Sequence, residues 1–185
     1  VIGDVMVDRF IFTRKTDRII REFSEPHFQL LVEKQEEFLG GAGNVAATLA
    51  RLGAETHLVT ICGEDSLDIR SLCIDEKIQL HCQRDSTRHP CIKTRIFKGE
   101  EGYVRFHEEH ASPIMADEMT WVAVEARTIP KPDVLILSDY AKGVCTNTLC
   151  STLCYDFGQR NVPIIVDPKS KDFSKYKGAT YIKPN

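Results

Sequence analysis

The stretch Gly40-Gly41-Ala42-Gly43-Asn44-Val45-Ala46-Ala47 decides the fold of this 185-residue chain. Three glycines in four positions let the backbone turn tightly and approach a ligand closely. The residues from Val45 to Leu52 are mostly helix formers, and Gly53 ends that run. The stretch therefore predicts a glycine turn leading into a helix N-terminus, whose free N–H groups favour anions and hydroxyl oxygens. Asn44 is expected at the cap position, where it could bond the helix or a ligand.

Three interpretations of this turn are open: a strand-to-helix connection without a ligand, a dinucleotide-binding fingerprint, or a sugar site. Gly41, Gly43 and Ala46 fit the pattern G-x-G-x-x-A, and Asp65 lies near the distance expected for a ribose-binding acid. That fingerprint belongs to the first strand-to-helix turn of a fold, whereas an earlier strand is expected over residues 1–7. The dinucleotide interpretation is weakened, and the rest of the chain favours a sugar site.

The composition is that of an ordinary globular domain, with 42% hydrophobic and 28% charged residues and a net charge of −3. The length suits one domain with a full core. No basic run suggests nucleic acid, and no apolar stretch is long enough to span a membrane. Seven cysteines never form a C-x-x-C pair, and no histidine or third thiol near Cys150 and Cys154 completes a zinc set. We expect no protein-held metal, and reduced thiols in a cytoplasmic protein.

Apolar strands alternate with helical stretches along the chain. Strands are expected over residues 1–7, 56–62, 78–82, 133–139, 162–166 and 179–185, and helices from 65–66 to 76, over 116–128, and from 146 or 147 to about 160. Continuous apolar strands indicate an α/β fold with a mainly parallel sheet and helices on both faces. Polar groups follow these strands at their carboxyl ends, namely Asp8, residues 63–65 and 138–139, Asp167 and Asn185. That edge suits hydroxyl groups and Mg²⁺ with phosphates better than hydride transfer.

A predicted hairpin interrupts this alternation of strands and helices. Residues 91–98 and 103–107 alternate around a four-residue loop, and a further strand is indicated over 28–33, so we expect a small sheet outside the main one. Lys93, Arg95 and Arg105 alternate along the hairpin and could present one cationic face. Such a face either protects an open strand edge or forms a phosphate clasp, because arginine offers a forked donor and lysine a point charge.

The acids Asp4 and Asp8 flank the end of the first predicted strand. Each could accept hydrogen bonds from sugar hydroxyls, or each could cap a turn. The spacing alone leaves both roles open.

Six segments in order along the chain carry a resemblance to a known family. They are residues 1–10, 40–53, 93–95, 137–144, 166–169 with 172–174, and 178–185. The glycine turn together with the string Ser138-Asp139-Tyr140-Ala141-Lys142-Gly143 is a specific combination. On these motifs the chain resembles the ribokinase-like (PfkB) carbohydrate kinases, and within them it is most similar to the heptose 7-phosphate kinase domain of lipopolysaccharide-core biosynthesis.

The resemblance implies a ribokinase-like fold with a β lid from about residues 10–38 and 91–108. It implies transfer of a phosphoryl group from ATP, with Mg²⁺, to the anomeric hydroxyl of heptose 7-phosphate, giving the 1,7-bisphosphate. The residues implied for the substrate are Asp8, Gly41 and Asn44 at the sugar hydroxyls, Lys93, Arg95 or Arg105 at the 7-phosphate, Lys142 near the reacting phosphates, and Asp139 for binding or strand-end hydrogen bonding. Asn185, as the first residue of an Asn-x-x-Glu motif, and Asp167 would serve ATP and Mg²⁺.

The resemblance also implies partners and further chain. The lid would pair two subunits, an adenylyltransferase domain could be fused, and the catalytic base and most of the ATP site would lie beyond Asn185. Residues 1–185 are then the sugar-binding portion of one kinase domain, expected to be inactive alone and marginally stable or associating. Two alternatives remain open: another PfkB-type kinase acting on a different sugar, or a non-catalytic module that binds sugar phosphates or dimerises.

Overall fold

The computed structural model describes residues 1–20, 27–63, 67–99, 101–130, 132–169 and 172–184. The strands are β1 (Ile2–Gly3), β2 (Val5–Ile20), β3 (His27–Gly41), β4 (His57–Gly63), β5 (Gln79–Asp85), β6 (Ile92–Lys98), β7 (Glu101–Glu108), β8 (Leu135–Ser138), β9 (Ile164–Asp167) and β10 (Tyr181–Ile182). The helices are α1 (Ala42–Arg51), α2 (Leu67–Asp75), α3 (Ala116–Thr128) and α4 (Asn147–Gln159), with a 3-10 turn at Ser174–Tyr176.

Six strands form the main sheet in the order β10-β9-β8-β1-β4-β5, and every neighbouring pair is parallel. Side chains along β4 alternate between its two faces. Val59 and Ile61 pack into a large core with α3 and α4, whereas Leu58 and Cys62 pack into a smaller core with α1 and α2. The predicted parallel sheet with helices on both faces is confirmed.

Local signals set the bounds of the last two helices. Helix α3 occupies the predicted residues 116–128, with the Glu118 carboxylate accepting a 2.7 Å hydrogen bond from the Met115 N–H. Helix α4 begins after Thr146, whose hydroxyl oxygen accepts from the Leu149 N–H at 3.1 Å. Each side-chain oxygen satisfies a donor that the first helical turn leaves unpaired. Residues 67–75 of the predicted 65–76 helix form α2, and residues 64–66 lie outside the described part.

A second sheet, which we call the lid, has the strand order β3-β2-β6-β7. Strand β2 is antiparallel to β3 and parallel to β6, and β6 forms the predicted hairpin with β7. The predicted strand over 28–33 lies within β3, which continues to Gly41 and so reaches the glycine turn. Residues 9–38, which have no clear periodicity, therefore form two long strands around the undescribed residues 21–26.

The prediction of one central strand over residues 1–7 was wrong. The chain leaves the main sheet at Asp4, because β1 pairs with β4 and β8 whereas Val5 already pairs with Gly41 of the lid. The apolar pattern does not break there, since Ile2 is buried in the larger core and Val5 and Val7 are buried in the smaller one. Asp8 consequently lies on the lid instead of at the carboxyl edge of the main sheet.

Candidate functional site

Asp4 is a buried acid at the junction of the two sheets. Its carboxylate accepts three backbone N–H bonds, from Tyr140 at 2.8 Å, Lys142 at 3.0 Å and Val144 at 2.9 Å. Burial raises the pKa of this carboxyl, and the three N–H donors oppose that rise. Of the two roles left open by the sequence, Asp4 has the structural one, because it holds the turn that follows β8.

The turn held by Asp4 carries the family-like string from Ser138 to Gly143. Gly143 has a φ of +102°, and a Cβ at this position would lie 2.0 Å from the Ser112 carbonyl oxygen. Only glycine combines this backbone conformation with so close an approach. The turn is thereby packed against the segment that leaves the lid hairpin, so the geometry of the two is linked.

Asp139, predicted to bind substrate, is buried and surrounded by protein donors. One oxygen accepts from the Ala141 N–H at 2.8 Å, and the other contacts the Tyr176 hydroxyl and the Lys175 ammonium, the latter at 2.7 Å. Asp139 raises the pKa of Lys175, while burial of the lysine acts in the opposite direction. These contacts correspond to the strand-end hydrogen bonding foreseen for Asp139, and a role in substrate binding stays a prediction.

The glycine turn lies directly against β2. A Cβ on Gly40 would meet the Asp8 carboxylate at 2.6 Å, and one on Gly41, where φ is +58°, would meet the Asp4 carbonyl oxygen at 2.3 Å. The Ala42 N–H donates to that same carbonyl at 2.9 Å. Because Gly40 and Gly41 have no side chain, β2 can pack directly against the turn. Asp8 consequently lies next to the start of α1.

Asn44 is not the helix cap. Helix α1 begins at Ala42 with Gly41 as its cap, so Asn44 lies inside the first turn, where its carbonyl accepts from the Thr48 hydroxyl at 2.8 Å. No side chain caps α1, and Asn44 is exposed. The helix starts earlier than expected because β3 extends to Gly41. A contact of Asn44 with sugar stays a prediction that this placement allows.

The dinucleotide fingerprint does not fit this arrangement. The strand before α1 is β3, which belongs to the antiparallel part of the lid. The fingerprint requires a strand of the parallel sheet at that point. Gly41, Gly43 and Ala46 therefore match its letters without its structure, and Asp65 lies outside the described residues.

Strand register places four of the eight predicted substrate-binding residues on one side of the lid, which we call the site face. Because side chains alternate along a strand, residues paired across the four strands share a face. One row contains Phe38, Asp8, Lys93 and His107, and the next contains Glu36, Phe10, Arg95 and Arg105. The three predicted cations therefore do share one face, and Asp8 lies among them.

The cations of the site face differ in their contacts. Arg95 bonds to the Asp8 carboxylate at 2.9 Å and lies 5.1 Å from the centre of the Phe10 ring. The Lys93 ammonium lies 5.5 Å from the centre of the Tyr140 ring, which connects the lid to the turn after β8. Arg105 stands directly opposite Arg95, is exposed, and pairs with no acid among the described residues. Like charges directly opposite each other destabilise a sheet, so this pair favours an anion between them.

Lys142, the predicted phosphate-side lysine, reaches the lid. Its ammonium lies 2.7 Å from the Glu109 carboxylate, just beyond the end of β7. The hydrogen bond from Lys142 holds the pKa of Glu109 below its ordinary value. The turn after β8 and the lid hairpin are thus joined by an ion pair as well as by packing.

Arg88 is a structural residue that the sequence analysis missed. It is buried and donates to the Ser112 carbonyl at 2.8 Å and to the Lys142 carbonyl at 2.5 Å. Two groups therefore hold the main chain of Lys142. The Asp4 carboxylate accepts its N–H, and the Arg88 guanidinium donates to its carbonyl oxygen. No sequence signal could have identified it, because its acceptors are main-chain carbonyls 24 and 54 residues away.

Two predicted residues concern ATP and Mg²⁺. Asp167 ends β9, and its carboxylate lies 4.0 Å from the Lys183 ammonium, whereas Asn185 lies outside the described residues. Within the described ranges, no group of three or more histidine, cysteine or acidic side chains could hold a metal ion. No helix in the same ranges is both long and apolar enough to cross a membrane.

The whole chain, residues 1–185, matches the family described as pfkB family carbohydrate kinase. Similar curated proteins include the bifunctional protein HldE of Methylobacillus flagellatus, which is 38% identical over 192 residues. The D-beta-D-heptose 7-phosphate kinase of Bordetella bronchiseptica is 34% identical over 188 residues. Both alignments cover all of this chain, which spans 38% of the first protein and 58% of the second.

Solved structures show the same fold at low sequence identity. The tetrameric inhibited form of phosphofructokinase-2 from Escherichia coli has a TM-score of 0.71 and 16% identity, covering 99% of this chain and 60% of that one. A carbohydrate kinase from Agrobacterium tumefaciens has a TM-score of 0.65 and 14% identity, covering 98% of this chain and 58% of that one. The parallel sheet with its lid is therefore the fold of known sugar kinases.

Proposed function

The chain belongs to the pfkB family of carbohydrate kinases, and from that premise we propose that it carries the sugar-binding part of a heptose 7-phosphate kinase. The proposed reaction moves a phosphoryl group from ATP to the anomeric hydroxyl of heptose 7-phosphate and gives the 1,7-bisphosphate. The names of the relatives from Methylobacillus and Bordetella support this substrate. The chain spans only part of those relatives, so the activity belongs to the longer protein in this proposal.

The observation that carries the proposal is the charge of the site face. Lys93, Arg95 and Arg105 share this face with the acids Asp8 and Glu36, so one cation is in excess there in a protein whose net charge is −3. A free sugar needs no such concentration of cations, whereas a sugar phosphate brings about two negative charges at neutral pH. The forked guanidinium groups of Arg95 and Arg105 suit a phosphate that one lysine alone would bind less specifically.

In this proposal, different residues of the chain have different roles in binding. Asp8, next to Gly40 and Gly41, would accept hydrogen bonds from sugar hydroxyls, with Asn44 at the open start of α1. Arg95 and Arg105 would hold the 7-phosphate, and Lys142 would lie near the reacting phosphates. The lid would exclude water when it covers the sugar. ATP with Mg²⁺ supplies the phosphoryl group, and Asp167 and Asn185 are the residues we assign to it.

We propose further features on separate grounds. Val104 and Phe106 are 40% and 45% exposed on the lid face opposite the site face, which suits pairing of two subunits through their lids. Bifunctional relatives suggest a fused adenylyltransferase domain in the longer protein. Use of ATP would place the reaction in the cytoplasm.

The test is a calorimetric titration of this chain with D-glycero-D-manno-heptose 7-phosphate, with ATP–Mg²⁺ titrated separately. We expect the sugar phosphate to bind, and we expect Asn44→Ala to weaken that binding about tenfold through loss of one ligand hydrogen bond. The heptose 7-phosphate kinase of Bordetella bronchiseptica provides the positive control. Equal binding of fructose 6-phosphate and heptose 7-phosphate would instead favour a kinase for another sugar.

A kinase assay separates binding from turnover. A longer chain that continues beyond Asn185 should phosphorylate the heptose at the anomeric position, which ³¹P NMR identifies directly. Tight sugar-phosphate binding without turnover in that longer chain would favour the non-catalytic binding module and contradict the proposed reaction.

A further inference from the structure

One carboxylate just beyond the end of β7 lies among three basic side chains that come from different elements. The Glu109 carboxylate is 2.7 Å from the Lys142 ammonium and 3.6 Å from Nδ1 of His107. Lys93, which stands opposite His107 in the hairpin register, is also close enough to affect the titration of Glu109. Each of the three comes from a different place in the fold, namely β6, β7 and the turn after β8.

Main-chain contacts fix the position of Lys142 in this cluster. Asp4 accepts its N–H and Arg88 donates to its carbonyl, so the backbone of the lysine cannot shift without breaking buried hydrogen bonds. The side chain is only 16% exposed, whereas that of Glu109 is 39% exposed. The lysine is therefore the fixed member of the pair, and Glu109 is the member that can leave.

An acid in that position meets the same requirements as a phosphate oxygen. A carboxylate presents two oxygens to cations at hydrogen-bond distance, and a phosphate presents three with more charge. A lysine whose acid partner is removed without replacement would lose a charge-assisted hydrogen bond. An arriving phosphate restores that bond, so exchange of one anion for the other costs little.

We propose that Lys93, His107 and Lys142 form an anion site that Glu109 occupies in the free protein and vacates when a phosphate group binds. The proposal rests on the proposed function, since it makes Glu109 an internal competitor of the phosphorylated substrate or of the terminal phosphate of ATP. Glu109 is thus a residue that sets affinity and couples the lid to the turn after β8. It takes no part in chemistry.

The test compares two neighbouring acids in calorimetric titrations at low ionic strength. Glu109→Gln removes the competing charge, whereas Glu108→Gln makes the same change in net charge on the opposite face of β7. We expect Glu109→Gln to tighten phosphate binding about fivefold, the scale of a partly exposed ion pair, and Glu108→Gln to change it less than about twofold. Equal effects of the two variants would overturn the proposal, because only general electrostatics would then be acting.

A double variant tests whether Lys142 mediates the effect. The gain from Glu109→Gln should vanish in a Lys142→Gln background, and its persistence there would overturn the proposal. Thermal melts of each variant control for folding. The three substituted side chains are partly or fully exposed, so the variants should melt close to the parent chain.

The choice of ligand distinguishes the source of the phosphate from the function itself. Heptose 7-phosphate, ATP–Mg²⁺ and inorganic phosphate are titrated in parallel, and free heptose serves as the uncharged reference. A Glu109 effect confined to heptose 7-phosphate assigns the site to the sugar phosphate, and one confined to ATP assigns it to the nucleotide. If heptose 7-phosphate binds but neither it, ATP–Mg²⁺ nor inorganic phosphate distinguishes the variants, the proposed function stays intact and this inference is overturned. If the Glu109 effect is seen with inorganic phosphate but heptose 7-phosphate does not bind at all, this inference stays intact and the proposed function is contradicted.

Discussion

The main sheet and the lid differ in the residues that form their strands and in how deeply those residues are buried. Strands β8 and β9 of the main sheet consist of apolar residues that are fully buried on one face and partly buried on the other, with polar groups only where the strands end. Strands β6 and β7 of the lid carry charged, aromatic and aliphatic residues, and most of their described side chains are partly or fully exposed. From this comparison we expect the first region to hold the fold together and the second to supply the residues that bind the substrate. Substitutions in the two regions should therefore have separable effects on stability and on binding.

Truncation of one aromatic side chain in each region tests this separation most strongly. Phe157→Ala removes a fully buried ring from the larger core and should lower the free energy of unfolding by about 3–5 kcal/mol. Phe97→Ala removes a ring stacked on Phe10 and Phe12 of the lid, and we expect a loss of about 1–2 kcal/mol. Urea denaturation followed by circular dichroism measures both. Similar losses would mean that the lid is part of the same cooperative core.

Glycines with positive φ provide the next test. Gly143→Ala places a methyl group against the Ser112 carbonyl and should cost about 3 kcal/mol. Gly99→Ala, at a φ of +62° with no atom within 4 Å of its Cβ, should cost about 1 kcal/mol. Both are measured by the same urea denaturation. A cost at Gly99 equal to that at Gly143 would show that backbone conformation matters more than the close approach.

Two aspartates provide a further test of the comparison, Asp4 just before β2 and Asp8 within it. Asp4→Asn keeps one acceptor oxygen but replaces the other with an NH2 group that faces backbone N–H donors, and it should cost about 2 kcal/mol of stability. Asp8→Asn loses a partly exposed ion pair with Arg95 and should cost less than about 1 kcal/mol, while weakening sugar-phosphate binding. Unfolding and calorimetry are run on both variants. The separation fails if Asp8→Asn is the more destabilising of the two.

Arg105→Gln should have the smallest effect on folding. Its guanidinium has no acid partner among the described residues, so its loss should leave the free energy of unfolding within about 0.5 kcal/mol of the parent value. Binding of heptose 7-phosphate should weaken about tenfold through loss of one charged contact. Lys98→Gln on the same hairpin serves as the calorimetric control. Unchanged affinity in Arg105→Gln would remove this residue from the proposed phosphate clasp.

The same contrast explains how much the sequence could predict. Helices α3 and α4 were predicted almost to the residue, because apolar spacing and side-chain caps are local signals. The departure of the chain from the main sheet at Asp4 left no signal, since residues on both sides of it are buried in different cores. The position of Asn44 was misjudged because the length of β3, set by pairing with β2, decides where α1 begins.

The binding residues show the same limit. Alternation along the hairpin was enough to place Lys93, Arg95 and Arg105 on one face. It could not show that Lys142 would meet Glu109 or that Arg88 would hold the carbonyl of Lys142, because those contacts depend on how two sheets meet. Roles that arise between regions require the structure.

Strands β1 and β2 are separated by Asp4 alone, and this short junction has a mechanical consequence. Because the chain passes from one sheet into the other across a single residue, the relative tilt of the two sheets is set at that residue. Any change in the tilt of the lid rotates the backbone of Asp4, whose carboxylate carries the turn with Lys142. If the lid closes over a sugar as we propose, Asp4 would pass part of that movement to Lys142, alongside the Lys142–Glu109 ion pair.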